Sequence, residues 1–277
     1  MLYIVPTPVG NLEDMTARAA RVLSEVDFIA CEDTRTSLKL LRSLGISKQM
    51  LAYHSFNERG RADAILERLL HGEKCALISD AGTPGISDPG YELIRRCIEA
   101  GVELTVLPGS TAFVPALILS GLPPYPFLFH GFLPDGRGDR DRAIRSVADL
   151  PWTLIFYVSP HKAEKHILHL LEVLGDRRGA LIREISKVYE EARRGTLSFL
   201  AESVASGVRG EIVLVVEGAS REGRDESGEW MERASELLEG GMSPREVVKT
   251  LSREYSVSKN EIKSFLFRET GRDGPEA

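Results

Sequence analysis

Three glycine-bearing loops hold the residues best suited to ligand chemistry. PTPVGNL (6–12), SDAGTPGISDPG (79–90) and LPGSTA (107–112) each follow a short apolar run. Glycine lets a backbone approach a ligand closely, and loop amides ahead of a helix offer hydrogen-bond donors. One such loop reads as an ordinary strand-to-helix turn. Three in the first 112 residues, two of them long and rich in Gly, Pro, Ser and Asp, point to one binding site. None contains Lys or Arg, so a polyphosphate would go without side-chain neutralisation, and a neutral or cationic ligand suits them better. The chain has no GxxxxGKS/T segment and no GxGxxG after its first apolar run, which counts against a P-loop and a standard dinucleotide site.

The charged segments leave alternatives open. In CEDTR (31–35), neighbouring residues of a strand point opposite ways, so Glu32 and Asp33 need not act as a pair. Asp33 or Thr34 can cap a following helix while Arg35 pairs at the surface. Equally, the segment can bind substrate or move a proton. YHSFNERGR (53–61) offers His54, Asn57 and Glu58 in a turn where Asn57 can also be a cap. REISKVYEEARRG (183–195), with Glu184, Lys187, Arg193 and Arg194, reads as a charged hairpin rim or as part of a polyanion groove. His161, His166 and His169 fit no metal-ligand spacing, and His166 and His169, three apart on one helix, read as surface positions. Residues 245–272 carry seven Lys/Arg against four Asp/Glu, the pattern of a helix-turn-helix-like appendage or of solvated helix faces.

Positioning these residues requires a scaffold of alternating elements. Leu2–Val5, Phe28–Cys31, Cys75–Ser79 and Val102–Leu107 read as strands, with helical periodicity over Thr16–Val26, from about Ser37 to Gly45, and over Ala62–Leu70 and Tyr91–Ala100. Strands separated by helices imply βαβ units and a mainly parallel sheet. After Gly121 the texture changes, and the reading places a linker at 121–127. Thr153–Val158, Ala180–Ile185 and Glu211–Val216 follow as strands, with a helix over Lys162–Leu174. The polar stretch 219–228 reads as a second, flexible linker, and Trp230–Leu238, Arg245–Glu254 and Asn260–Arg268 as short helices. The expected division is therefore 1–121, 127–218 and a small helical region at 229–272.

Composition agrees with a folded chain. Its 277 residues suit one large or two medium domains, and a 43% hydrophobic content supplies a sizeable core. A net charge of −6 excludes a histone-like polycation but not a local basic patch. Cys31, Cys75 and Cys97 form no CxxC pair, so neither a disulfide framework nor a thiolate metal site is expected, and a reducing compartment is. MLYIVPTPVGN lacks the basic start of a signal peptide, and no apolar run reaches the ~20 residues of a membrane span.

PTPVGNLEDMT, CEDTR, SDAGTPGISDPGY, LPGSTA and GEIVLVVEG occur in order between residues 6 and 218. In these motifs the chain resembles the tetrapyrrole methylase superfamily of S-adenosylmethionine-dependent (class III) methyltransferases. Within it the chain is similar to the bacterial small-subunit rRNA ribose methyltransferase I family. Three positions depart from the family pattern: Ser110 where PGP is usual, Tyr157-Val158 where a glutamate follows the tyrosine, and Phe56 in place of a histidine. The resemblance implies an α/β fold of two domains with the cofactor cleft between them, plus the C-terminal helical region. It implies 2′-O-methylation of a cytidine in the decoding region of 16S rRNA in the small ribosomal subunit, in the cytoplasm, by a homodimer with no membrane association. It places Pro8, Ala81, Gly82, Thr83, Ile86, Thr111, Ala112 and Val158 around S-adenosyl-L-methionine. Because a hydroxyl is a poor nucleophile until its proton leaves, a base or an oxygen-stabilising cation is also needed, for which Glu32, Asp33, Arg35, Asn57, Glu58, Glu184 and Lys187 are the candidates. Arg193 and Arg194 are the expected RNA contacts. The competing readings are a tetrapyrrole C-methyltransferase on the same fold and a non-catalytic RNA-binding assembly factor.

Overall fold

Burial on both faces decides which apolar runs become central strands. The computed structural model describes residues 1–55, 57–219, 229–255, 262, 263 and 265–267, without the side chains of Arg59 and Arg253. In it the first half alternates β1 (Leu2–Ile4), α1 (Ala17–Glu25), β2 (Phe28–Cys31), α2 (Thr34–Ser43), β3 (Gln49–Ala52), α3 (Glu58–Leu70), β4 (Cys75–Ile78), α4 (Tyr91–Glu99), β5 (Leu104–Val106) and α5 (Phe113–Ser120). The strands form a parallel sheet in the order β3-β2-β4-β1-β5. FIAC of β2 and CALI of β4 are buried throughout, as expected of strands covered by helices on both faces. Their register pairs Cys31 with Ile78, so the residues that follow each strand emerge side by side at the carboxyl edge. There α1 and α2 start on side-chain caps: Thr16 accepts from the Ala19 amide and Asp33 from the Arg35 amide.

The second sheet contains β6 (Phe127–Phe132), β7 (Thr153–Val158), β8 (Arg178–Arg183), β9 (Glu191–Thr196) and β10 (Ile212–Val216), in the order β6-β7-β10-β8-β9. β6 runs parallel to β7; the other pairings are antiparallel. Helices α6 (Arg137–Arg145), α7 (Ala163–Leu174) and α8 (Leu197–Val204) contribute Ile144, Ile167 and Leu200 to the core on one face. α5 covers the other, with Ala116 and Leu117 packed among Ile155, Ala180 and Val213. A helix from the first half thus shields the second sheet, and Met1–Gly218 is one compact unit.

His166 and His169, expected at the surface, are buried instead, at 3% and 6% exposure. The reason is α6, whose charged sequence RGDRDRAIR hides a packing face. Its Arg140 is 1% exposed, donates from Nε to His169 Nδ1 at 2.9 Å, and donates from Nη1 to the Pro134 and Asp135 carbonyls at 3.1 and 2.8 Å. Both ring nitrogens of His166 lack a hydrogen-bond partner among the described residues.

Residues 219–277 form a second unit. In it α9 (Glu229–Glu239) and α10 (Pro244–Glu254) share a core of Trp230, Ala234, Val247 and Leu251 with Ile262 and Leu266. A reciprocal capping box between Ser243 and Glu246 starts α10. Of the helix expected over 260–268, residues 262, 263 and 265–267 are described and helical; the rest of it, Phe56 and the linker residues 220–228 lie outside the described residues. Among the described residues no helix is long and apolar enough to cross a membrane.

Candidate functional site

The three loops converge because glycine permits contacts that a side chain would block. Thr7 and Gly82 exchange both backbone hydrogen bonds at 2.9 Å, joining the first loop to the second. The Thr7 hydroxyl donates to the Ser79 carbonyl at 3.0 Å. Gly82 has φ +79°, the left-handed region that favours glycine. The third loop closes on the first at Gly109, where a Cβ would lie 2.7 Å from Pro6 Cβ. Thr83 Oγ1 donates to the Ser110 carbonyl at 3.0 Å, tying the second loop to the third.

Above these loops lies a cleft of about 410 Å3. Ala81, Gly82, Thr83, Ile86, Thr111, Ala112 and Val158 line it. Pro8 does not; the first loop contributes its neighbour Val9. The second sheet supplies Phe132, Tyr157, Ile185, Glu211, Ile212 and Val213. Apolar side chains dominate this wall. The polar part is acidic: Glu32, Asp80, Asp88 and Glu211 line the cleft, and among the described residues no Lys, Arg or His does.

This acidity follows from the parallel register. Glu32 and Asp80 leave the adjacent strands β2 and β4, and the Asp80 amide points at Glu32 Oε2 at 3.5 Å. Burial raises the pKa of both carboxyls, opposed in each by a backbone hydrogen bond. Asp88, near the end of the same loop, is pushed up to about 6 by burial and then by the negative charge of Glu32. Burial likewise pushes the Tyr157 hydroxyl up to about 12. A cleft with fixed negative charge, an apolar wall and backbone donors fits a ligand that carries positive charge on an apolar body.

The other expected residues have work elsewhere. Asp33 caps α2 and holds Arg35 through an ion pair of 2.6 Å, which keeps the Asp33 carboxyl down at about 2. The Arg35 side chain is 87% exposed, outside the cleft lining. Glu58 accepts at Oε1 from the Tyr53 hydroxyl and from the Gly90 and Glu92 amides, at 3.0, 3.1 and 3.4 Å. Asn57 closes its own turn, accepting from the His54 amide and donating to the Ala52 carbonyl. Lys187 Nζ bridges Glu184 and Glu211 at 2.9 and 3.0 Å. Burial works against the Lys187 charge, but these carboxylates outweigh it and its pKa is raised. Arg193 pairs with Glu191 and donates to the Ser203 carbonyl, and exposed Arg194 donates from Nε to the Leu119 carbonyl at 2.9 Å.

Asp80, Asp88 and Glu211 are not singled out by sequence reasoning, and Tyr157 is named there only as the neighbour of Val158. The two aspartates stand inside the SDAGTPGISDPG loop, so a signal was present. Glu211 and Tyr157 reach the cleft only through the pairing of β10 with β7.

The family model of tetrapyrrole (corrin/porphyrin) methylases matches residues 1–201. The ribosomal RNA small subunit methyltransferase I of Bacillus subtilis (strain 168) is 39% identical over 269 residues, 95% of this chain and 92% of that protein. Among solved structures, diphthine synthase superposes with a TM-score of 0.61 at 14% identity, covering 78% of this chain and 89% of that one. The uroporphyrin III C-methyl transferase from Thermus thermophilus gives 0.56 at 22% identity, with 77% and 96% covered. At these identities the two structures speak for the fold.

Proposed function

Because this chain belongs to the ribosomal RNA small subunit methyltransferase I family, within the tetrapyrrole methylases, we propose that it methylates the ribose 2′-oxygen of a cytidine in the decoding region of 16S rRNA. The chain is a methyltransferase, and its methyl donor is S-adenosylmethionine. The observation that carries the reading is the cleft itself, lined by four carboxylates and, among the described residues, by no basic side chain. That field favours a sulfonium and disfavours a polyphosphate.

In this reading the backbone of Ala81, Gly82, Thr83, Thr111 and Ala112 holds the donor's polar groups, while Val9, Ile86, Val158 and Ile212 enclose its apolar body. The bound donor supplies an already activated methyl group, so positioning the acceptor and handling its proton are left to the protein. RNA phosphates stay outside the acidic cleft. Arg35, exposed beside Asp33, takes one of them in this reading, with Arg194 as a second exposed cation. A homodimer and a cytoplasmic site of action belong to the same proposal. The exposed Val114 and Ile118, one turn apart on α5, support an apolar contact between subunits.

Methyl-labelled S-adenosylmethionine, purified protein and 30S subunits lacking the modification test the proposal. The expected result is one label on a decoding-region cytidine ribose, with none on uroporphyrinogen. Label on uroporphyrinogen alone would establish the C-methyltransferase, and failure to bind S-adenosylmethionine at millimolar concentration would favour a non-catalytic factor.

A further inference from the structure

The four carboxylates of the cleft are not equivalent. Glu32 faces the Asp80 amide, Asp80 accepts from the Asp33 amide at 3.2 Å, and Glu211 is paired with Lys187 at 3.0 Å. Asp88 alone among them has neither a backbone amide nor a cation as partner among the described residues; the Ser79 hydroxyl faces it. Lone pairs already engaged by an amide or an ammonium group are less available to an incoming proton, whereas a carboxylate without such partners, in a low-dielectric wall beside other negative charges, is free to take one.

Position adds to this. Asp88 belongs to the loop that carries Ala81, Gly82 and Thr83, so it shares the cleft with the backbone that receives the donor. Its loop is packed and hydrogen-bonded at that end. Gly90, at φ +154°, leaves room for the Gly85 backbone, which a Cβ at Gly90 would approach to 2.9 Å, and the Gly90 amide is held by Glu58. Charges face Asp88 from three directions: Glu32 at the end of β2, Asp80 at the end of β4 and Glu211 ahead of β10, while the Tyr157 hydroxyl of β7 lies within reach of its field. No positive side chain lines the cleft among the described residues to lower its basicity.

We propose that Asp88 is the general base, taking the proton of the attacking ribose hydroxyl as the methyl group is transferred. The oxygen–hydrogen pair becomes the new O–CH3 bond, the S–CH3 pair returns to sulfur, and the proton leaves on the Asp88 carboxylate. Charge balances: a sulfonium and a carboxylate become a neutral thioether and a neutral acid. The arrangement also explains the raised pKa of about 6, which leaves Asp88 ionised at neutral pH yet basic enough to accept a proton. The assignment rests on the reading of an oxygen acceptor.

The test compares the wild type with Asp88→Asn and Asp88→Glu in methyl transfer to 30S subunits between pH 5 and 9, with S-adenosylmethionine affinity measured calorimetrically. Wild-type kcat should fall about tenfold per pH unit below an apparent pKa near 6. Asp88→Asn should lose at least about a hundredfold in kcat, keep KM and donor affinity within about threefold, and lose the acid limb; Asp88→Glu should recover part of the rate with the limb restored. A wild-type kcat that stays flat down to pH 5, or an Asp88→Asn enzyme retaining more than a tenth of kcat with the same limb, would overturn the assignment to Asp88 alone. A wild type that binds the donor but places no methyl on ribose would overturn the oxygen-acceptor reading with it.

Discussion

Gly82 separates two effects that substitutions in binding loops usually mix. At φ +79°, an L residue is strained whatever the space around it. The space itself is adequate for one methyl group, since a Cβ would meet Val9 Cγ1 at 3.7 Å and the Ser110 carbonyl at 3.8 Å, both ordinary contacts. Gly82→Ala therefore adds left-handed strain of about 1–2 kcal/mol, partly offset by the ~0.4–1 kcal/mol gained from a less flexible unfolded chain. A net loss of ~1 kcal/mol should lower Tm by roughly 2–4 °C in a chain of this size. Donor affinity should stay within about threefold, because the Thr7–Gly82 bridge needs only backbone atoms. Gly82→Val is different. Its branched carbons extend beyond the Cβ into the gap beside Val9, a cleft residue, and should cost at least ~2 kcal/mol of donor affinity, roughly thirtyfold. Scanning calorimetry gives the first quantity, and titration calorimetry with S-adenosylmethionine the second. Equal affinity losses in Ala and Val would show that backbone strain, not side-chain volume, controls the site. Unchanged affinity in Val would remove the 79–90 loop from it.

Three further outcomes follow from the placement of residues outside the cleft. Glu58→Ala strands the Tyr53 hydroxyl and the Gly90 and Glu92 amides, and should destabilise the fold by ~2–4 kcal/mol, whereas Glu58→Gln keeps an acceptor and should lose less. If methyl transfer per folded molecule falls a hundredfold in Glu58→Gln with no change in Tm, Glu58 is catalytic and the structural assignment is wrong. Burial, more than any charge, pushes the His166 pKa down to about 4, so the unfolded chain binds its proton more tightly. Stability is then full above the ordinary 6.5 and is lost as pH falls toward 4; at ~1.4 kcal/mol per unit this is bounded at about 3 kcal/mol. His166→Leu should flatten urea-measured stability between pH 6.5 and 4, and an unchanged slope there would exclude His166 as its source. Arg35→Ala should fold, bind S-adenosylmethionine normally and methylate 30S subunits at least about tenfold more slowly; full activity would leave Arg35 only its pairing with Asp33.

The sequence by itself determined β1, β2, β4 and β5 of the parallel sheet and the glycine-bearing loops at its carboxyl edge. Strands buried on both faces must be apolar throughout, so FIAC and CALI declare themselves, and the glycines between strand and helix mark where backbone must approach a partner. Half-exposed elements without such an apolar run carry no such signature. QMLA of β3 and EARRGT of β9 are half-exposed edge strands, and β6 is irregular, with a register shift at Gly131. α6 places a buried Arg140 where periodicity asks for an apolar residue, which also hid the burial of His166 and His169. CEDTR shows the limit at the level of single residues. Its alternatives, capping and chemistry, share the same letters, and the structure divides them: Asp33 caps, Arg35 reaches solvent, and Glu32 turns into the cleft. Only tertiary structure brought Glu32, Asp80, Asp88 and Glu211 together, because strand order and register, rather than spacing along the chain, decide which carboxylates share one low-dielectric wall.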